Sequence, residues 1–171
     1  ALSLAGKPEI AADVGIVHGA TVALFHAFSA NARSIILNPS SGIPSGSLLG
    51  IRLMLLLPLG GLSFLLSTQL AGVEALLAFV LVLRRCAEWI AEVYVSEMEL
   101  HSENKPSARF LALQTVLTLA VVGWLLADLP SPLLVIFVWA TSPLWINLNF
   151  TLVRASNWHI AGGGWPRLLP H

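Results

Sequence analysis

At 171 residues, with 56% hydrophobic and only 11% charged side chains and a mean hydropathy of +0.81, the chain carries more apolar surface than a soluble domain of this length can bury. Nine Lys and Arg balance nine Asp and Glu, so no basic excess exists to neutralise phosphates, which excludes nucleic acid as a partner. The single cysteine, Cys86, excludes an internal disulfide framework and any cysteine-based metal site.

Leucine-rich blocks recur at about the length of a bilayer crossing, which predicts an all-α fold: a polytopic transmembrane helix bundle of about five spans. The first span, 10–31, opens after Lys7-Pro8-Glu9, where proline suits a first helical turn, and carries Asp13, His18, His26 and Asn31. The second, 47–67, is interrupted by Pro58 with Gly60-Gly61 beyond, which predicts a kink and close approach of a neighbouring helix. The third, 70–100, exceeds a perpendicular crossing and should tilt or project. The fourth is 107–126, closed by the turn residues Asp128-Leu129-Pro130-Ser131-Pro132. The fifth, 133–153, includes Trp139, Pro143, Trp145, Asn147 and Asn149. The bundle is thus assigned to residues 1–157, and 158–171, with Gly162-Gly163-Gly164, to an irregular tail.

Loop charges predict the orientation. Arg33, Arg52, Lys105, Arg109, Arg154 and Arg167 fall on one side of the alternation and Lys7 alone on the other. The positive-inside rule therefore puts the N-terminus outside and the C-terminus in the cytoplasm. A start at Ala1 with no preceding signal segment points to a piece of a longer polytopic protein.

The chemistry concentrates in the third span. Charges at membrane depth are costly unless they face a protein interior or water, so they mark candidate functional positions. At helical spacing Arg84, Glu88, Glu92 and Glu99 lie near one face, with Arg85 and Ser96 beside it. Arg84 with Glu88, and Arg85 with Glu88 or Glu92, are placed to meet across one turn. Two readings stay open at this point. The stripe lines a cavity whose arginines attract an anionic substrate, or it is an internally compensated ion-pair ladder whose surplus carboxylates need a partner helix or water. The opposite face, with Leu83, Trp89, Ile90, Val93 and Leu100, suits lipid or an apolar neighbour. In the first span Asp13, His18 and His26 are candidate coupling residues, because histidine titrates near neutral pH. Hydrogen bonding between helices is the plainer account of them. The tryptophans Trp139, Trp145 and Trp158 read as interface anchors. No metal site, cofactor motif or nucleophile with its base is visible, so no cofactor and no enzymatic activity are expected.

Three stretches carry a family resemblance: Phe28-Ser29-Ala30-Asn31-Ala32-Arg33 before a polar loop, Arg52-Leu53-Met54-Leu55-Leu56-Leu57-Pro58, and Arg84-Arg85-Cys86-Ala87-Glu88-Trp89-Ile90-Ala91-Glu92. Over 1–157 the order of features resembles the N-terminal half of polysaccharide (O-antigen type) flippases, of the multidrug/oligosaccharidyl-lipid/polysaccharide exporter superfamily. The five spans look like the second to sixth of that family. The resemblance implies a multi-pass transporter of the bacterial cytoplasmic (inner) membrane that flips a polyprenyl-pyrophosphate-linked oligosaccharide. It further implies alternating access with the remaining helices of a longer chain or a partner membrane subunit. Arg33, Arg84 and Arg85, with Glu88 and Glu92, are the substrate-binding positions it nominates. The rival expectations are a non-catalytic accessory subunit, and a membrane-embedded enzyme of lipid-linked glycan assembly using Glu97, Glu99 or Glu103.

Overall fold

The computed structural model describes residues 6, 8–29, 31–38, 40, 42–100, 104–127, 130–131 and 133–143, and among these no strand occurs. The segments expected at 144–153 and 158–171, with Trp145, Asn147, Asn149 and Trp158, lie outside the described residues, as does Glu103. Among the described residues six α-helices follow in chain order. They are α1 (Pro8–Ala27), α2 (Ala32–Leu37), α3 (Ser45–Leu65), α4 (Ala75–Leu100), α5 (Asn104–Leu126) and α6 (Leu133–Pro143).

Local chemistry sets the helix ends. Pro8 opens α1, with Glu9 in its first turn, where the helix dipole favours a negative charge. The helix stops at Ala27, earlier than expected, and Asn31, at a left-handed φ of 50°, stands at the N-cap of α2. Helix α3 runs beyond its α-helical part through a π-helical turn, Leu66–Leu70. There the hydroxyls of Ser67 and Thr68 donate back to the carbonyls of Ser63 (2.8 Å) and Phe64 (2.9 Å). Those bonds help hold the widened turn, so residues 66–70 extend the second helix, and the third begins only at Ala75. Between them Gly72 takes a φ of 69°, and the Glu74 carboxylate accepts the N–H groups of Leu76 (3.1 Å) and Leu77 (3.2 Å). Glu74 thus caps α4 and satisfies two of the donors that every helix start leaves open.

Three helical stretches are long and apolar enough to cross a membrane: Pro8–Ala27, Ser45–Leu70 and Ala108–Leu126. Helix α4 is longer than α1, at 26 residues, but it is charged in its second half, and α6 is a shorter apolar helix. The exposed faces of α3 and α5 present Leu53, Met54, Leu57, Leu111, Val116 and Leu119, the pattern of surfaces solvated by lipid chains.

Helix α4 is the hub, packing against α1, α2, α3 and α5. The main core joins Val17 and Phe25 of α1, Leu59 of α3, Leu77, Leu81, Val82, Cys86 and Trp89 of α4, and Ile136 of α6. A smaller cluster of Ala32, Ile36, Leu48 and Val93 seats α2 on α3 and α4. The apolar face of α4 therefore meets protein at Trp89 and Val93. At Gly60, two residues beyond Pro58 inside α3, a Cβ would lie 3.3 Å from Cys86 Sγ and 3.7 Å from Val82 Cγ1. Between helices in lipid such close packing, rather than a hydrophobic drive, supplies association. Gly60→Leu should therefore push α3 off α4 and cost about 1–3 kcal/mol of stability in detergent melts. Gly61→Leu, where a Cβ meets nothing within 4 Å, is the matched control and should melt like the parent.

Candidate functional site

The 3.6-residue period brings Arg84 Nη2 to 2.8 Å from Glu88 Oε1 and Arg85 Nη1 to 3.6 Å from Glu88 Oε2. Two further carboxylates of α4 are met by arginines from other helices. Arg52 Nη2 of α3 lies 2.8 Å from Glu92 Oε2, and Arg33 Nη2 of α2 lies 3.0 Å from Glu99 Oε2. The stripe is thus a ladder of ion pairs recruited from three helices, and partner helices supply what Glu92 and Glu99 need.

Arg52 is the residue that sequence reasoning placed wrongly. Counted there as a charge flanking a loop, it is 2% exposed and points into the bundle. Its Nη1 donates to the Trp89 carbonyl, and its guanidinium lies 4.9 Å from the centre of the Trp89 ring. A carbonyl oxygen inside a helix keeps a second lone pair, and the flat guanidinium can use both that lone pair and the ring face. The signal was present: Arg52 is the only charged residue in Ser45–Leu70, so the argument applied to Arg84 applied equally to it.

Arg84 holds the other side of the bundle. Its Nη1 donates to the Trp139 carbonyl (2.6 Å) and reaches Ser142 Oγ (3.4 Å), and its guanidinium stacks 3.6 Å from the centre of the Trp139 ring. Trp139 Nε1 in turn donates to Thr118 Oγ1 at 3.2 Å. Trp139, expected as an interface anchor, is therefore an internal support that ties α6 to α4 and α5. The desolvated cation over the ring adds to the hydrogen bonds.

Open space adjoins this ladder on both sides of Arg85. One cleft of about 460 Å³ is bounded by Val14, Gly15 and His18 of α1, by Arg84, Arg85 and Glu88 of α4, and by apolar side chains of α5 and α6. A pocket of about 280 Å³ lies between the end of α1 and α4, lined by His26, Ser29, Asn31, Arg85, Glu88, Trp89 and Glu92. A further cleft of about 300 Å³ is lined by Arg33, Glu88, Glu92, Ser96 and residues of α5. Glu88 borders all three.

No known protein family, curated protein or solved structure matches this chain.

The nominated substrate residues divide by position. Arg85, Glu88 and Glu92 line the polar pocket, Arg84 is largely engaged by Trp139 and Glu88, and Arg33 is exposed at the far end of the stripe. Of the coupling candidates, His18 borders the larger cleft and His26 the polar pocket, so the structure does not bring the two into one cavity. Asp13 is half-buried and lines neither. Among the described residues no three His, Cys, Asp or Glu side chains gather as metal ligands would. What the arrangement can do is hold fixed positive and negative charge along one open helix face, next to an apolar cleft.

Proposed function

We propose that this chain is part of a membrane transporter that flips a lipid-linked oligosaccharide across the bacterial cytoplasmic membrane. In this reading α4 and the segment beginning with α6 also cross the bilayer, giving five spans with the N-terminus outside. The chain then forms one side of a transport pathway that further helices complete. The observation that carries it is the placement of Arg84, Arg85 and Glu88 at the wall of a 460 Å³ cleft otherwise bounded mainly by apolar side chains. Intramembrane charge that borders open space, rather than being sealed between helices, is the pattern of a substrate path. Fixed arginines would attract the phosphate of a lipid carrier, and the adjoining apolar wall would accept its chain. The resemblance of the Phe28–Arg33, Arg52–Pro58 and Arg84–Glu92 stretches to polysaccharide flippases supports the same assignment.

One observation favours a second reading, an accessory subunit with a structural ladder. Arg33, Arg52 and Arg84 each have a carboxylate within 3.0 Å. The two readings differ in water access at Arg85. In a Cys86→Ser background, Arg85→Cys should be labelled by a membrane-impermeant maleimide in intact membranes, and faster than Arg84→Cys. The wild-type side chains are 21% and 11% exposed, respectively. Full protection of both positions would establish the ladder and sink the pathway. Flipping itself is read in proteoliposomes by dithionite quenching of a fluorescent polyprenyl-pyrophosphate oligosaccharide, and a rate equal to that of empty liposomes would reject the transport assignment.

A further inference from the structure

Helix α2 has six residues and little of its own to hold it. A helix this short does not persist in water without tertiary docking. Its N-cap, Asn31, makes no side-chain hydrogen bond to the helix, its first turn carries no acid and its last turn no base. Docking is therefore what keeps it folded. Ala32 and Ile36 are buried against Leu48 of α3 and Val93 of α4, while Arg33, Ser34 and Leu37 face outward. Its ion pair, Arg33 Nη2 to Glu99 Oε2 at 3.0 Å, involves an arginine side chain that is 60% exposed, where that of Arg52 is 3% exposed. Open pairs of this kind hold weakly, and salt screens them.

Position matters as much as weakness. At 1.5 Å per residue Val93 lies about 27 Å along α4 from Ala75, next to the capping Glu74. Across a hydrocarbon core of about 30 Å that puts the seat of α2 near the opposite face, where a segment can lift into water rather than lipid. Residues in the left-handed region flank it, Asn31 at φ 50° after α1 and Gly42 at φ 63° before α3. A few such residues can absorb a change of chain direction while the neighbouring helices stay packed. The same corner walls open space. Ser29 and Asn31 line the pocket of about 280 Å³, Arg33 lines the cleft of about 300 Å³, and Glu92 borders both.

We infer that α2 is a latch on the charged face of α4. Docked, it covers Val93 and closes the Arg33 end of the stripe. Released, it uncovers Val93 and takes a wall from each of the two pockets that Glu92 borders. The released segment unfolds, because nothing within it sustains a helix, so the latch is a local order-to-disorder transition in an otherwise intact bundle. The Arg33–Glu99 pair sets the balance between the two states, and Asn31 sets the direction in which the chain enters α2. The latch rests on the membrane placement of the reading above, but not on transport.

Cysteine reactivity of the detergent-purified full chain tests it, with N-ethylmaleimide, which enters both water and micelle. The reporter is Val93→Cys in a Cys86→Ser background, since Val93 is fully buried while α2 is docked. Adding Glu99→Gln should raise its labelling rate about two- to fivefold, the worth of an exposed ion pair. Added salt should raise the rate in the parent pair and leave the Glu99→Gln protein unchanged. Asn31→Val should raise the rate about tenfold, because a β-branched residue resists the left-handed region, whereas Asn31→Gly should stay within about twofold of the parent. The native Cys86, packed in the main core, reports opening of the whole bundle, and neither Glu99→Gln nor Asn31→Val should change its labelling. A Val93→Cys rate indifferent to both substitutions would overturn the latch. Equal acceleration at Val93→Cys and Cys86 would also overturn it, because the bundle would then be loosening as a whole. Absence of flipping by a parent that shows the expected labelling would reject transport and keep the latch.

Discussion

Replacing Glu92 by alanine is expected to destabilise the bundle by about 3 kcal/mol, the lower end of the cost of removing one partner from a buried ion pair. The asymmetry between the partners gives the reason. Glu92 retains 41% exposure of its side chain, but Arg52 retains only 3%, so the substitution leaves a guanidinium enclosed by α3 and α4 without its counter-ion. The Trp89 carbonyl and ring still contact it, which keeps the loss below that of a wholly isolated charge. Glu92→Gln preserves an acceptor and should cost about half as much. The double variant Arg52→Met/Glu92→Gln should recover most of the loss, since an apolar side chain of similar length replaces the buried cation. Thermal unfolding of the parent, Arg52→Met, Glu92→Gln and the double variant in one detergent gives the double-mutant cycle, with Glu92→Ala melted alongside. A Glu92→Ala melt within ~0.5 kcal/mol of the parent would show that Arg52 does not depend on this carboxylate.

How much of this was legible beforehand depended on the distance in sequence between partners. The all-helical class followed from hydropathy, and the Arg84–Glu88 pair from its i, i+4 spacing, because both are local properties. The need of Glu92 and Glu99 for partners was also legible, since two arginines on α4 could not neutralise every carboxylate. Who the partners are was not: Arg52 and Arg33 lie on other helices, and only packing brings them to α4. Arg52 was misread because loop-charge counting treats an arginine near a helix start as solvated, although it lies two turns inside α3. The π-helical turn that carries α3 to Leu70 has no periodicity of its own, and the hydroxyls of Ser67 and Thr68 read simply as polar residues near a helix end. Trp139 was assigned by the usual preference of tryptophan for interfaces, which ignores a cation arriving from another helix.

Trp89→Ala is the core substitution expected to cost most, roughly 3–5 kcal/mol. The ring is 1% exposed and is held on two sides. Phe25 of α1 meets it edge to face, with centroids 5.1 Å apart and planes at 88°, while the Arg52 guanidinium of α3 lies 4.9 Å from its centre. Truncation therefore removes at once the surface that joins α1, α3 and α4, and lipid chains outside the bundle cannot refill an enclosed cavity. Trp89→Phe separates packing from polarity. The buried indole Nε1 has no hydrogen-bond partner among the described residues, so phenylalanine keeps an aromatic face for Phe25 and Arg52 while removing a donor that gains nothing. Its cost should be limited to the smaller ring, about 1 kcal/mol, well under a third of the alanine loss at the upper estimate. Detergent melts followed by near-ultraviolet circular dichroism compare the two variants directly. If Trp89→Phe melted as low as Trp89→Ala, the indole N–H would be bonded in the folded protein, and polarity rather than packing would hold this helix junction.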